Sequence, residues 1–256
     1  MLKYLLFLGT LALGHSSNID CGRVPPSLWC QNKDLAAQCN VSQQCNEYTT
    51  KSKGQKLRLT LLYESLCPYC ERFIIGTFYT DIYLKYADKV EFELVPYGNA
   101  KIGKNGQVLC QHGTPECAGN KYEACVIHYF EDPIPFVRCL EQQLPQTDIV
   151  KAATKCYATF KTSADLAARV TTCYNTDLAD QLHRAHGART DAIGPEKKYG
   201  VPWLLFNNVS LGSAQKYGDS FKYAIDDWYI PNENDAKLVS EIAKKTSELK
   251  LCRDEN

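Results

Sequence analysis

Apolar and polar side chains alternate along residues 57–61, and Leu62 and Tyr63 extend the apolar run, which predicts a β-strand over residues 57–64. The next stretch, from about Cys67 to Tyr86, has apolar side chains at every fourth position and predicts an amphipathic helix. Alternation returns from Val90 to Val95 and predicts a second strand. A strand, a helix and a strand in this order form a β-α-β unit, whose right-handed crossover makes the two strands parallel neighbours.

A second group of elements is predicted near the end of the chain. Trp203 to Phe206 form a short apolar strand, and Asn207-Asn208 turns the chain into a hairpin with Val209 to Leu211. A closing helix that reaches Cys252 is predicted by the spacing of Leu238, Val239, Ile242, Thr246 and Leu249. Together with the β-α-β unit, these elements predict an α/β, thioredoxin-like fold over residues 57–252.

The region between the two groups, about residues 100–198, is predicted to be a helical insertion rather than an array of strands. Thr147-Asp148 opens one helix, Ser163 caps the next, and Gly187 is expected to end a third. DsbA-like proteins carry a helical insertion at this place. We expect the insertion to lie over the functional site as a lid.

The sequence Leu66-Cys67-Pro68-Tyr69-Cys70 lies between the first strand and its helix. Backbone N–H groups and the dipole at a helix N-terminus favour negative charge, so a cysteine there forms a thiolate more readily. Pro68 suits the first turn because the N–H that it lacks has no partner there. Half of a zinc site and a structural disulfide are the alternatives, but the chain has no second Cys-x-x-Cys. A redox pair is predicted, in which Cys70 can close a small disulfide ring.

Thioredoxin-fold proteins carry a cis-proline opposite this motif, just before the third strand, and Pro202 takes that place in Val201-Pro202-Trp203. Only about 5% of X-Pro bonds are cis, so the prediction depends on the fold, and a trans proline at a strand entry is the alternative. The backbone around Val201 and Pro202 is expected to pair with an extended substrate peptide, and Pro68 and Tyr69 are the other predicted substrate-binding residues.

Composition and charge narrow the compartment and the partners. Lysine and arginine number 29, as do aspartate and glutamate, so the charge balance favours neither nucleic acid nor an anionic membrane as partner. Lys3, the apolar run from Tyr4 to Leu13 and the small residues after it predict a signal peptide in residues 1–17. No later stretch has the roughly 20 apolar residues of a transmembrane helix, so a soluble protein of the secretory pathway is expected.

Thirteen cysteines in a chain that enters an oxidising compartment predict a disulfide framework around the redox pair. Without Cys67 and Cys70 an odd number remains, so at least one cysteine is free or joins two chains in a disulfide-linked homodimer. Sequons at Asn40 and Asn208 predict N-linked glycans, which fit the same route.

Residues 18–50 form a polar segment rich in cysteine, with Cys21, Cys30, Cys39 and Cys45. So short a segment cannot bury much core, and disulfides are expected to hold it. Its pattern resembles the A-type domain of saposin precursors, and a plain disulfide-stapled extension is the alternative. The polar, basic residues 51–56 that follow are predicted to be a solvated hinge.

A second motif, CQHGTPECAGN, occupies residues 110–120 within the insertion and is followed by Cys125. Its cysteines and His112 are residue types that bind metals, but a disulfide-braced loop opening a helix is favoured in a secreted chain, and no metal or cofactor is predicted. Cys117 and Cys125 on one helix would stand about 12 Å apart, too far for a disulfide. A pairing of Cys110 with Cys125 is left open.

This motif resembles the signature of the gamma-interferon-inducible lysosomal thiol reductase family. Every fixed position is present: Cys110, Gln111, His112, Gly113, Glu116, Cys117, Asn120 and Cys125. The approach from Tyr63 to Cys67 and the loop around Pro202 resemble the family too, over about residues 57–252 in all. The signature residues are expected to be structural, including His112, for which the sequence gives no other role.

The resemblance implies a thioredoxin-like fold with a helical insertion, and reduction of protein disulfides in acidic endolysosomal compartments reached through N-linked glycans. The family's redox pair falls on Cys67 and Cys70. In the expected mechanism, Cys67 attacks a disulfide of a protein substrate and Cys70 resolves the mixed disulfide, while an unidentified small thiol or other reductant restores the enzyme. A secreted location is the alternative to the lysosome or endosome.

Two other functions are compatible with the sequence. The same pair could run in the opposite direction, in a disulfide oxidase or isomerase of the secretory pathway, because the sequence gives no reduction potential. A non-enzymatic, disulfide-rich secreted binding protein, with the pair as a structural clasp, is the alternative from a different class.

Overall fold

A computed structural model describes residues 21, 29–30, 32–51, 56–222, 224–225 and 252–253 of the chain. The predicted signal peptide in residues 1–17 and the predicted helix around Leu238 to Leu249 lie outside these residues. In the part described, no helix is both long enough and apolar enough to cross a membrane. The chain is a mixed α/β protein with a small central sheet and many helices.

The central sheet has three strands in the order β2-β1-β6. β1 (Leu57–Tyr63) and β2 (Val90–Pro96) are parallel, with Leu61 opposite Leu94. β6 (Trp203–Phe206) lies antiparallel on the other side of β1. β1 is therefore the middle strand, which explains why nearly all of its side chains are buried. The predicted β-α-β unit and third strand are confirmed.

The chain turns back sharply after β6, at Asn207 and Asn208, which have positive φ angles of 52° and 65°. Asparagine tolerates this left-handed conformation better than most residues, and two such residues in succession suit the twist of a hairpin. The backbone groups of Phe206 and Val209 exchange hydrogen bonds of 3.2 and 2.9 Å across the turn. The predicted hairpin is confirmed.

The predicted helix after β1 forms, but it is not a uniform α-helix. α3 (Pro68–Phe73) leads into wide, π-type turns over Ile74–Tyr83, and α4 (Leu84–Tyr86) completes the run. Helical geometry breaks at Gly76, whose φ and ψ are −92° and −105°. The apolar residues at every fourth position are Ile74, Phe78, Ile82 and Tyr86. The first three are buried, and Tyr86 is half-buried.

Five α-helices occupy most of residues 100–198, all of which are described. They are α5 (Thr114–Tyr129), α6 (Ile134–Gln143), α7 (Ile149–Phe160), α8 (Ala164–Tyr174) and α9 (Asp177–Asp191). The predicted helix starts are confirmed, because Asp148 accepts the Lys151 N–H at 3.0 Å and Ser163 accepts the Leu166 N–H at 3.3 Å. The sequence did not predict the short hairpin before α5, formed by β3 (Lys101–Ile102) and β4 (Val108–Leu109).

The prediction that Gly187 ends the last of these helices was wrong, because α9 continues to Asp191. Gly187 instead permits a close approach to Tyr97. A Cβ atom at Gly187 would lie 2.7 Å from Cε2 of the tyrosine ring, which is closer than two carbon atoms can pack. The glycine marks a contact between α9 and the end of β2 rather than a helix end.

The N-terminal segment packs against the hairpin end of the sheet. It contains α1 (Lys33–Gln38) and α2 (Ser42–Lys51), held by the disulfides Cys21–Cys39 and Cys30–Cys45. Trp29 is buried, and its ring meets that of Phe206 edge to face at 6.5 Å. α2 includes Lys51, so the first residue of the predicted hinge is helical, and residues 52–55 lie outside the description.

Three disulfides brace the insertion: Cys110–Cys117, Cys125–Cys173 and Cys139–Cys156. The pairing of Cys110 with Cys125 is therefore wrong. Gly113, with a φ of 83°, turns the chain into α5 so that Cys110 meets Cys117 in the first turn. Cys125 lies two turns further along the same helix and bonds to Cys173 of α8 instead.

Candidate redox active site

Cys67 is the residue at which the extended chain gives way to α3. Its φ and ψ are −77° and 117°, Pro68 follows as the first helical residue, and the backbone N–H of Cys70 donates to Cys67 Sγ at 3.3 Å. The sharp turn before it falls on Leu66, whose φ is 65°. Cys67 Sγ thus lies at a helix N-terminus, where N–H groups and the helix dipole stabilise a thiolate.

Both cysteines of the motif are buried, but they are in different states. Cys67 is disulfide-bonded, whereas Cys70 is a free thiol. Burial raises the pKa of Cys70 well above its ordinary value, and the charge of Glu64 raises it further. Cys70 is therefore a protonated thiol beside Cys67, which suits a group that attacks only after Cys67 is engaged.

The Val201–Pro202 peptide bond is cis, as predicted. The carbonyl oxygen of Val201 lies 3.9 Å from Cys67 Sγ, so the proline loop faces the motif. Pro68 is exposed, and Tyr69 is half-buried with the Arg72 guanidinium 4.7 Å from its ring centroid. Substrate binding by Pro68, Tyr69, Val201 and Pro202 stays a prediction.

The strand edge beside the proline loop pairs with another segment of the chain. β5 (Gly200–Val201) pairs antiparallel with β7 (Cys252–Arg253), a later segment of the same chain. The backbone at Cys252 is extended, where the sequence predicted the end of a helix. Pairing of this kind is the backbone recognition expected for a substrate peptide.

Gly119 and Asn120 of the signature hold Ser65, two residues before Cys67. Asn120 Oδ1 accepts the Ser65 N–H at 2.8 Å, and Ser65 Oγ donates to the carbonyl oxygen of Glu116 at 3.0 Å. Gly119 permits this approach, because a Cβ atom there would lie 2.2 Å from Ser65 Oγ. These signature residues therefore support the chain that leads into the redox motif.

Replacing Asn120 with alanine is expected to lower the free energy of unfolding by about 1–3 kcal/mol, because the buried Ser65 N–H loses its acceptor. Urea denaturation measures the loss. Asn105→Ala, at an exposed position between β3 and β4, is the matched control and is expected to change stability by less than about 0.5 kcal/mol. An Asn120→Ala variant as stable as this control contradicts the assignment.

Glu116, in the first turn of α5, gathers the other polar residues of the signature. Its Oε1 accepts the N–H of Gln111 at 3.0 Å, and its Oε2 accepts the N–H of His112 at 3.2 Å and contacts the imidazole Nδ1. Glu64, just after β1, lies close to the same imidazole, with its Oε1 3.7 Å from Nδ1. Both carboxylates are buried, whereas a third of the His112 side chain is exposed.

The loop after β2 holds Glu64 in place. The N–H of Asn99 donates to Glu64 Oε2 at 2.6 Å, and Gly98, with a φ of 60°, leaves room for the carboxylate. Burial and the neighbouring Glu116 raise the pKa of Glu64 to about 8, and burial raises that of Glu116 to about 7. Ligand atoms of Glu64, His112 and Glu116 all lie within 4.8 Å of one another, so this group has the geometry to hold a metal ion.

A second buried pair of acids, Glu123 of α5 and Glu141 of α6, lies near Tyr63 and was not predicted. No carboxylate oxygen of this pair meets a hydrogen-bond partner among the residues that the structure describes. Burial raises the pKa of Glu123 to about 7 and raises that of Glu141 well above its usual value. The sequence would have indicated this pair only through two glutamates that fall among the buried positions of α5 and α6, where charged residues are uncommon.

Other predicted features lie at the edges of this site or away from it. Asn40 is exposed on the N-terminal segment, whereas the Asn208 amide donates to Glu47 at 3.1 Å and accepts from Arg189 at 2.7 Å. A glycan on Asn208 would have to displace those contacts, and both sequons stay predictions.

The helical insertion contacts the helical run that follows Cys67. Nε of Arg138 in α6 donates to the carbonyl oxygen of Ile75 at 3.3 Å. The role of the insertion as a lid stays a prediction.

Fold and site together describe a mixed α/β protein whose Cys-x-x-Cys pair lies at a helix N-terminus, opposite a cis-proline loop. A profile of the family described as gamma interferon inducible lysosomal thiol reductase (GILT) matches residues 58–160, which contain both the redox motif and the signature. The chain belongs to this family.

Relatives from two animals and a plant match most of the chain. The gamma-interferon-inducible lysosomal thiol reductase of Carassius auratus is 33% identical over 199 residues, covering 75% of this chain and 74% of the relative. The gamma-interferon-responsive lysosomal thiol protein of Arabidopsis thaliana is 32% identical over 174 residues, covering 65% and 68%. The gamma-interferon-inducible lysosomal thiol reductase of Mus musculus is 29% identical over 195 residues, covering 69% and 76%.

Proposed function

We propose that this protein is a thiol reductase of protein disulfides, with Cys67 as the nucleophile and Cys70 as the resolving cysteine. The observation that carries the proposal is the placement of Cys67 Sγ at the N-terminus of α3, 3.9 Å from the Val201 carbonyl oxygen and next to the free thiol of Cys70. Family membership supports reduction as the direction, since two of the relatives above are named thiol reductases.

The proposed reaction moves two electrons to the substrate in two exchanges. The Cys67 thiolate attacks one sulfur of the substrate disulfide, a Cys67–substrate disulfide forms, and the other substrate sulfur leaves as a thiolate that takes up a proton. Cys70 then loses its proton and attacks Cys67 Sγ, which releases the second substrate thiol and leaves a Cys67–Cys70 disulfide. A small thiol or another dithiol reductant must return the two electrons.

The thioredoxin-like arrangement with a DsbA-like insertion is part of this proposal. The β2-β1-β6 order, the cis-proline before β6 and the block of helices α5 to α9 support it. In this arrangement a substrate strand takes the place of β7 beside the backbone at Val201 and Pro202, while Pro68 and Tyr69 flank the attacking sulfur. Family membership and the predicted signal peptide support an endolysosomal or secreted location.

Reduction of a protein disulfide by the purified, pre-reduced protein at pH 4.5 and 7 tests this function. A thiol with a pKa of about 8.5 is only about 0.03% ionised at pH 5, so turnover in acid depends on stabilisation of the thiolate by the helix N-terminus. We expect substantial turnover at pH 4.5. Turnover confined to pH 7 contradicts the endolysosomal assignment, and no turnover at either pH contradicts the enzymatic one.

A further inference from the structure

Glu64, His112 and Glu116 bring three side chains that can bind metals into one cluster beside the redox motif. The cluster joins three parts of the chain: the end of β1, the loop before α5, and the first turn of α5. Two of its donor atoms, Glu64 Oε1 and His112 Nδ1, lie 3.7 Å apart, and all three donors fall within 4.8 Å of one another. Ligands about 2.1 Å from one cation lie about 3–4 Å apart, so small shifts suffice.

Backbone hydrogen bonds favour the charged form of both carboxylates in this cluster, against the effect of their burial. Backbone N–H groups of Gln111, His112 and Asn99 donate to three of the four carboxylate oxygens. Hydrogen bonds of this kind favour the charged form of an acid. Two carboxylates buried together repel each other and have lost their hydration, so an opposite charge between them stabilises the arrangement.

One oxygen of the cluster has no hydrogen bond. Glu64 is fully buried, and its Oε1 meets no hydrogen-bond donor among the described residues. A buried polar atom without a partner is rare in native proteins and calls for an explanation. Oε1 is the Glu64 oxygen that lies 3.7 Å from the imidazole, on the side of the cluster that His112 leaves partly open to solvent.

We propose that Glu64, His112 and Glu116 bind a divalent transition-metal cation, with the imidazole Nδ1 and one oxygen from each carboxylate as ligands. One nitrogen and two oxygen donors without a thiolate suit zinc and its first-row neighbours, whereas calcium and magnesium prefer oxygen alone. Water completes the coordination on the exposed side. The bound ion connects the loop before α5 to Glu64, which directly precedes Ser65. This metal site is a feature additional to the proposed reductase function.

Zinc binding measured by calorimetry on the full chain tests the site. Thiolates also bind zinc, so the experiment uses a Cys67→Ser/Cys70→Ser background, in which a signal from the redox motif is removed. We expect one zinc per chain at pH 7.5. X-ray absorption of the loaded protein is expected to show only nitrogen and oxygen neighbours at about 2.0–2.2 Å, with the scattering of one imidazole.

Two variants separate this site from unspecific binding. His112→Ala removes a partly exposed side chain and is expected to weaken zinc binding at least about tenfold, with the circular dichroism spectrum unchanged. His128→Ala removes an exposed histidine near the end of α5, away from the cluster; it is the matched control and is expected to bind as its parent does. Absence of binding, equal binding by His112→Ala, or sulfur in the first shell overturns the proposal.

Reductase activity does not enter these measurements. The zinc experiment is carried out on a chain without the redox cysteines, so its outcome is independent of whether Cys67 and Cys70 reduce substrates. A protein that binds zinc but shows no turnover in wild-type form therefore refutes the reductase function alone. A protein that turns over but binds no zinc refutes the metal site alone.

Discussion

Cys67→Ser is expected to abolish disulfide reduction, lowering kcat/KM by roughly 10⁴-fold or more, because a serine hydroxyl at this position is neither ionised nor able to form the mixed disulfide. The proposed role of Cys67 as nucleophile is supported by its position at the helix N-terminus, with its sulfur 3.9 Å from the carbonyl oxygen of the proline loop residue Val201. The rate of release of thiols from a protein disulfide substrate measures the loss. Turnover close to the wild-type rate refutes Cys67 as the nucleophile.

Cys70→Ser is expected to behave differently, although it also stops turnover. The first exchange needs only Cys67, so this variant is expected to accumulate a covalent complex with the substrate, because no second thiol is present to resolve it. Electrophoresis without reductant measures the complex as a band at the summed mass, which collapses when a thiol is added. Cys67→Ser, which cannot form the complex, is the matched control.

Equal accumulation by the two variants contradicts the division of roles between the cysteines. If neither variant traps substrate and both remain as active as the wild type, the pair is a structural clasp instead. Alkylation adds an independent check, since both cysteines are buried but only Cys67 lies at a helix N-terminus, whereas the pKa of Cys70 is raised. We therefore expect a thiol at Cys67 to be modified before Cys70 after mild reduction.

The sequence predicted the elements that position the redox motif because each has a strong local signal. Alternation and a short apolar run predicted β1, alternation predicted β2, and the paired asparagines predicted the hairpin. The cis bond at Pro202 followed from the fold that these elements imply. The length of the helix after Cys67 was predicted, but its geometry was not, because the spacing of apolar residues continues unchanged across the break at Gly76.

Contacts between distant parts of the chain were not predictable in the same way. Nothing near Glu64 in the sequence places it beside His112, because the contact depends on how the insertion folds back onto β1. Gly187 shows the same limit, since its role is set by a tyrosine ring on another element. Disulfide partners also depend on the folded arrangement of the insertion, which is why the sequence left the partners of Cys110 and Cys125 open.

The buried acids give a prediction for stability. Glu123 has a pKa of about 7 in the folded protein, raised by burial from an ordinary value of about 4.5. An acid whose pKa is raised on folding contributes stability that is fully present below its unfolded pKa and is lost as the pH rises through its folded pKa. The contribution of Glu123 is therefore lost between about pH 4.5 and pH 7, and at 1.36 kcal/mol per unit it amounts to about 3 kcal/mol.

Groups around the pair act in the same direction. Glu141 faces Glu123, and its pKa is raised first by burial and then by Glu123, with further contributions from Glu71 and Glu116. Tyr63 lies against both acids, and its own pKa is raised by burial and by their charges. Ionisation of either acid thus destabilises its neighbours, so removal of one carboxylate relieves the other.

The buried His183 and the partly buried His186 oppose this trend in the wild-type protein. The pKa values of His183 and His186 are lowered by burial to about 4, so their contributions are present above about pH 6.5 and are lost as the pH falls to about 4. The opposing signs cover overlapping ranges of pH. Stability of the wild type alone therefore does not isolate the acids, and a comparison between variants is needed.

Glu123→Gln is expected to gain stability relative to the wild type as the pH rises, by about 3 kcal/mol between pH 4.5 and pH 7.5, because glutamine does not ionise. Urea denaturation of both proteins at several pH values measures the difference. His183→Gln is the matched control and is expected to show the opposite sign, gaining relative to the wild type as the pH falls below about 6.5. If the difference in stability between Glu123→Gln and the wild type does not change with pH, the pKa of Glu123 is not raised on folding. The buried acid pair then does not make the folded protein more stable in acid.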